Sequence, residues 1–171
     1  MPELDPFAAA EFSVLPAELV AAIEAAPMPG LGEGPQDSSL AGVLAGNPLQ
    51  QADELSEGQR QLCTSGLWLL AGDLDRSHTI SQDLPSQEGS FWHGVMHRRE
   101  GDFGNAKYWF RRVGDHPVFA VIADRSEGDY DDPYDFVDAC SRASKSEAVQ
   151  RCQRAQWIEW QTLMVHCLTN C

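Results

Sequence analysis

Three times along the chain a glycine, an aspartate and an apolar residue follow one another: Gly72-Asp73-Leu74, Gly101-Asp102-Phe103 and Gly128-Asp129-Tyr130. The triplets stand 29 and then 27 residues apart. Glycine tolerates the left-handed backbone that ends a helix, and aspartate caps the amide groups that open the next one. The apolar residue then plugs the corner. Helix-like sequence lies before and after each triplet, so the spacing predicts helical hairpins stacked on one another. The expected fold is all-α, a stack of antiparallel hairpins closed by a long C-terminal helix.

Apolar periodicity and punctuation place the helices. Pro16 opens one over 16–26, with Leu19, Val20 and Ile23 on one stripe. Pro27 to Gln36 is rich in Pro and Gly and reads as a loop. Ser38-Ser39 is expected to cap a short helix that stops at Gly46. Ser56 with Gln59 forms a capping box ahead of an apolar face built on Leu62, Leu67, Trp68, Leu69 and Leu70. Further helices are predicted over 75–84, 88–100 and 104–113, with Pro85 and Gly114 as stops. Val118 to Ile122 is β-branched enough for a strand, but its helical context favours a buried helix. Pro133 begins another helix, and Ser146 to Leu168 reads as the long closing one. Residues 1–55 are expected to form an acidic arm packed on a helical domain of residues 56–171.

Within this pattern Gly94, Gly101, Phe103, Ala106 and Phe110 carry a resemblance to tetratricopeptide or Sel1-like repeats. Those repeats place a small residue in the first helix and a glycine at the turn. An aromatic follows, then alanine and an aromatic in the second helix. Pro117 falls near the position of their terminal proline. The likeness covers about 30 residues well, and the period is shorter than the roughly 34 of a tetratricopeptide unit. The run Trp92 to Glu100 also resembles the signature of an uncharacterised bacterial family, a likeness that implies no function. The repeat resemblance implies a binding or interaction module.

His93 and His97 depart from the repeat pattern, because they stand where such repeats put packing side chains. They lie i, i+4 with Glu100 at i+7, on one face of their helix. Asp75, His78 and Gln82 share a face of the preceding helix at i, i+3, i+7. A tight turn at Leu84 to Gln87 would bring the two faces together. Three imidazoles beside carboxylates suit Zn²⁺ or Fe²⁺, with Glu100 as an orienting carboxylate or a general base. Such a site defines the alternative function, a small metal-dependent enzyme or ligand-binding protein. The competing reading is that these histidines are solvated or hydrogen-bonded within the repeat.

Charge limits the partners. A net charge of −14 argues against nucleic acid and against anionic membrane surfaces. No apolar run reaches the roughly 18 residues of a membrane span. The first twelve residues lack the basic and apolar regions of a secretory signal, so a cytoplasmic protein is expected. The five cysteines contain no C-x-x-C pair and are expected to be reduced thiols, not a zinc knuckle. Basic residues cluster at Arg98, Arg99, Lys107, Arg111 and Arg112, and with Tyr108 they form a candidate site for a small anion, a carboxylate or phosphate. The acidic run Asp129 to Asp138 offers them internal partners instead. His116 and His166 have no evident partner in the sequence and are expected to be structural. A protein or a small anionic ligand is the expected partner.

Overall fold

The computed structural model describes residues 3–171; Met1 and Pro2, which belong to the expected N-terminal arm, lie outside the described residues. Every regular element among the described residues is helical. In chain order the α-helices are α1 (Pro6–Glu11), α2 (Ala17–Ala25), α3 (Ser38–Ala45), α4 (Glu57–Ala71), α5 (Leu74–Ser81) and α6 (Gln87–Glu100). There follow α7 (Phe103–Val113), α8 (Pro117–Arg125), α9 (Pro133–Arg142) and α10 (Ser146–Asn170). Single 3₁₀ turns at Phe12–Val14 and Pro48–Gln51 link the early helices. Val118 to Ile122 is helical, with Val118 and Ile122 buried.

Local chemistry explains the boundaries. Ser56 accepts from the Gln59 amide while the Gln59 side chain accepts from the Ser56 amide, a complete capping box. Gly72 and Gly101 end α4 and α6 at φ of 80° and 85°, the left-handed region in which a side chain is strained. Asp73 and Asp102 then cap α5 and α7 through the amides of Arg76 and Asn105. The third triplet behaves differently. Gly128 has a φ of 88°, but no helix starts beside it. Asp132 caps α9 instead, through the amides of Tyr134 and Asp135, and Asp129 is held by Arg151. The short α3 is likewise capped by Asp37, not by the serines that follow it.

The helices pack by close backbone approach. A Cβ added to Gly94 in α6 would lie 3.1 Å from the Phe110 ring of α7, and Ala106 on the same helix is fully buried. A Cβ on Gly66 in α4 would lie 2.6 Å from the Trp92 ring of α6, a distance real side chains do not tolerate. The 25-residue α10 crosses this layer, donating from Trp160 Nε1 to the Gly66 carbonyl at 2.7 Å. The N-terminal residues join the same core: Phe12, Leu19, Ile23 and Leu40 are fully buried with the α4 and α10 side chains. Gln153 and Gln156 of α10 and Arg99 of α6 donate to loop carbonyls at Pro29, Gly30, Gly32 and Glu33. Among the described residues, no helix is long and apolar enough to cross a membrane.

Candidate metal centre

Helices α5 and α6 pack against each other, and their facing turns bring His78, His93 and His97 together. One ring nitrogen from each lies within 4.8 Å of the other two. The ring centroids of His78 and His93 are 4.7 Å apart, those of His93 and His97 are 4.8 Å apart, and those of His78 and His97 are 5.6 Å apart. His93 is 2% exposed and His97 is 9% exposed, so neither ring relies on bulk water for its hydrogen bonds.

The hydrogen bonds around the two buried rings each hold the Nδ1 side. The Ser81 hydroxyl lies 3.3 Å from the His78 carbonyl and 3.0 Å from His93 Nδ1, and its one proton can go to either. Glu100 Oε2 lies 3.0 Å from His97 Nδ1, and a carboxylate can only accept. In both rings Nδ1 is the nitrogen held by the fold, which leaves Nε2 without a hydrogen-bond partner among the described residues. Metal-binding histidines carry this pattern, with the far nitrogen donating to a carboxylate or another oxygen. Burial, with His97 and then His78 nearby, holds the His93 imidazole down to about 3, so it is neutral at pH 7. The Trp109 ring of α7, its centroid 4.0 Å from that of His93, covers one side of the cluster.

Ser81 and Trp109 were not legible as site residues. Ser81 is i+3 from His78 on α5, whereas the expected third member of that face, Gln82, is exposed beyond the end of the helix. Asp75 is exposed as well and stays off the rings. It lines, with Glu33, Asp73 and Glu100, a polar depression of about 210 Å³ beside the cluster.

The basic residues of the candidate anion site differ in their surroundings. Arg98 is fully buried and pairs with Glu159 of α10 through both terminal nitrogens, one bond at 2.9 Å; it also donates to Gln156 at 3.3 Å. Burial works against its charge, but the Glu159 carboxylate outweighs burial and keeps it protonated. Arg99 donates to the carbonyls of Leu69, Gly32 and Glu33. Burial, and then Arg98 beside it, lower its guanidinium to about 10. Lys107 pairs with Asp138 of α9 at 2.6 Å, while Tyr108 and Arg111 face solvent. The two buried arginines are spent on internal acceptors, and Arg112 lies over the Trp109 ring, 5.1 Å from its centroid.

A second cluster gathers His116 and His166 around Glu88. Glu88 Oε1 is 3.1 Å from His116 Nε2 and 3.3 Å from His166 Nε2. Both histidines thus have a partner that their own sequence surroundings do not show. All five cysteines are free thiols, four of them buried. No protein-family profile, no curated protein and no solved structure matches the chain.

Proposed function

We propose that this protein binds a divalent transition metal, Zn²⁺ or Fe²⁺, at His78, His93 and His97. The observation that carries this reading is the convergence of three imidazoles, two of them buried and held at Nδ1 by Ser81 and Glu100. Neutral nitrogen donors suit zinc and ferrous iron better than calcium or magnesium, which take oxygen. Three protein ligands leave a fourth position for water or a small anion, as in catalytic metal sites. Glu100 acts as the carboxylate that orients His97, and Ser81 does the same for His93. The acidic rim of Glu33, Asp73, Asp75 and Glu100 attracts cations toward the cluster.

The hairpins α4–α5 and α6–α7 serve as the scaffold, and the buried Gly94, Ala106 and Phe110 support their likeness to tetratricopeptide or Sel1-like units. A pure interaction module ranks behind the metal reading. The large apolar side chains exposed among the described residues are Val14, Tyr108 and Val121, on three separate elements, too scattered for an apolar docking patch.

Elemental analysis and zinc titration of untagged protein test the proposal. Wild-type protein is expected to hold metal at this site in a 1:1 ratio. His93→Ala and His78→Ala are each expected to lose that equivalent while circular dichroism stays helical. His78 is only half-buried, so its truncation leaves packing largely intact. Unchanged metal content in a folded His78→Ala, His93→Ala double variant would refute the reading.

A further inference from the structure

The cluster at the other end of α6 has the donors for a second metal of a different kind. Glu88 sits in the first turn of α6, His166 near the end of α10, and Cys171 directly after it. A carboxylate oxygen, a ring nitrogen and the Cys171 sulfur lie within 4.8 Å of one another. We propose that Glu88, His166 and Cys171 form a zinc-class site, separate from the three-histidine cluster and independent of it.

The geometry argues first. Two donors each about 2.0–2.1 Å from a tetrahedral ion stand roughly 3.3 Å apart. Glu88 Oε1 and His166 Nε2 are separated by 3.3 Å, so an ion can replace the proton between them without moving either helix. Cys171 is exposed, its thiol donates to the His166 backbone carbonyl at 3.8 Å, and its sulfur lies within 4.8 Å of the His166 ring nitrogen and the Glu88 carboxylate.

His116 supplies the support such a site needs. The amide of Val118 donates to its Nδ1 at 3.3 Å, so the ring proton resides on Nε2 and points at Glu88 Oε1, 3.1 Å away. His116 is 3% exposed and its ring is 4.8 Å from that of His166, centroid to centroid. It acts as a positioning residue: it fixes the carboxylate and cannot itself ligate through either nitrogen without breaking a bond to the fold. Charge balance selects the ion. A carboxylate and a thiolate neutralise a divalent cation, and the neutral imidazole completes a nitrogen, oxygen and sulfur set. A thiolate excludes the hard cations and favours Zn²⁺, for which Co²⁺ is a spectroscopic substitute.

Cobalt titration of the full chain reads this site directly, because a thiolate-to-cobalt charge-transfer band requires a sulfur ligand. The band is expected in wild-type protein and in a His78→Ala, His93→Ala double variant. Cys171→Ser, at an exposed position, is expected to abolish the band and remove one bound equivalent. His116→Gln is expected to weaken cobalt binding about 10- to 100-fold while the band, once saturated, keeps its position. No band in wild-type protein, or a band that survives Cys171→Ser, overturns the proposal. Loss of metal from the histidine variants with the band intact would instead leave this site standing without reference to the first.

Discussion

A buried imidazole is costly unless its nitrogens find partners, on the order of 1–3 kcal/mol for each group left unsatisfied. His93 and His97 meet that demand on one side through Ser81 and Glu100. Their Nε2 atoms remain without a partner among the described residues, and a metal ion bound between the three rings would give them one. Glu100→Gln tests the orienting role. An amide can still accept the Nδ1 proton but carries no charge, so metal affinity is expected to fall about 10- to 100-fold in a calorimetric titration while the stoichiometry holds. An affinity equal to wild type would show that Glu100 is a bystander. Glu88 is governed by opposing effects of the same kind. Burial raises its carboxyl, but its own backbone amide and the side chains of His116 and Ser86 outweigh burial and lower it overall, keeping it ionised at neutral pH.

The ion pair between Arg98 of α6 and Glu159 of α10 ties these two helices together. Both side chains are wholly buried, and the guanidinium also lies over the Phe136 ring at 4.6 Å. Glu159→Leu leaves a buried cation without its counter-charge and is expected to cost about 3–5 kcal/mol in chemical denaturation. Adding Arg98→Met to that variant is expected to recover most of the loss, since a packed apolar pair avoids the desolvation of both charges. If the double variant is no more stable than the single one, the pair is not the connection described here. The α6–α7 contact depends on shape instead: Gly94 admits the Phe110 ring, so the glycine and the aromatic belong to one packing unit.

For the molecule as a whole, a metal that binds the folded state alone stabilises it by linkage. At a thousandfold excess of zinc over its Kd the gain is about 4 kcal/mol per site, and Tm is expected to rise roughly 8–16 °C in a chain of this size. Scanning calorimetry with and without a chelator measures this. Identical transitions in both conditions would mean that metal does not select the folded form. One hydrophobic core runs from Ala8 in α1 to Leu168 in α10. The melting transition is therefore expected to be single, with the N-terminal helices unfolding alongside the rest.

Helix limits were legible because caps and stops act within four residues. Gly72-Asp73, Gly101-Asp102, Ser56 with Gln59, and Pro133 each act on adjacent backbone, and the structure uses them so. The third triplet was misread for want of context: Arg151, 22 residues away, claims Asp129, and Asp132 takes over the cap. The alignment of His93, His97 and Glu100 followed from helical periodicity alone. Ser81 in place of Gln82, and the whole Glu88–His116–His166 cluster, depended on how α5, α8 and α10 are rotated against α6, which no local spacing encodes. The same holds for the arginines. Their positions suggested an exposed anion grip, but Arg98 meets Glu159 across 61 residues. A charge in sequence is silent about whether water, a ligand or another helix will neutralise it. Only packing decides that, because the cost of burial and the gain from pairing both arise when distant helices close over the group.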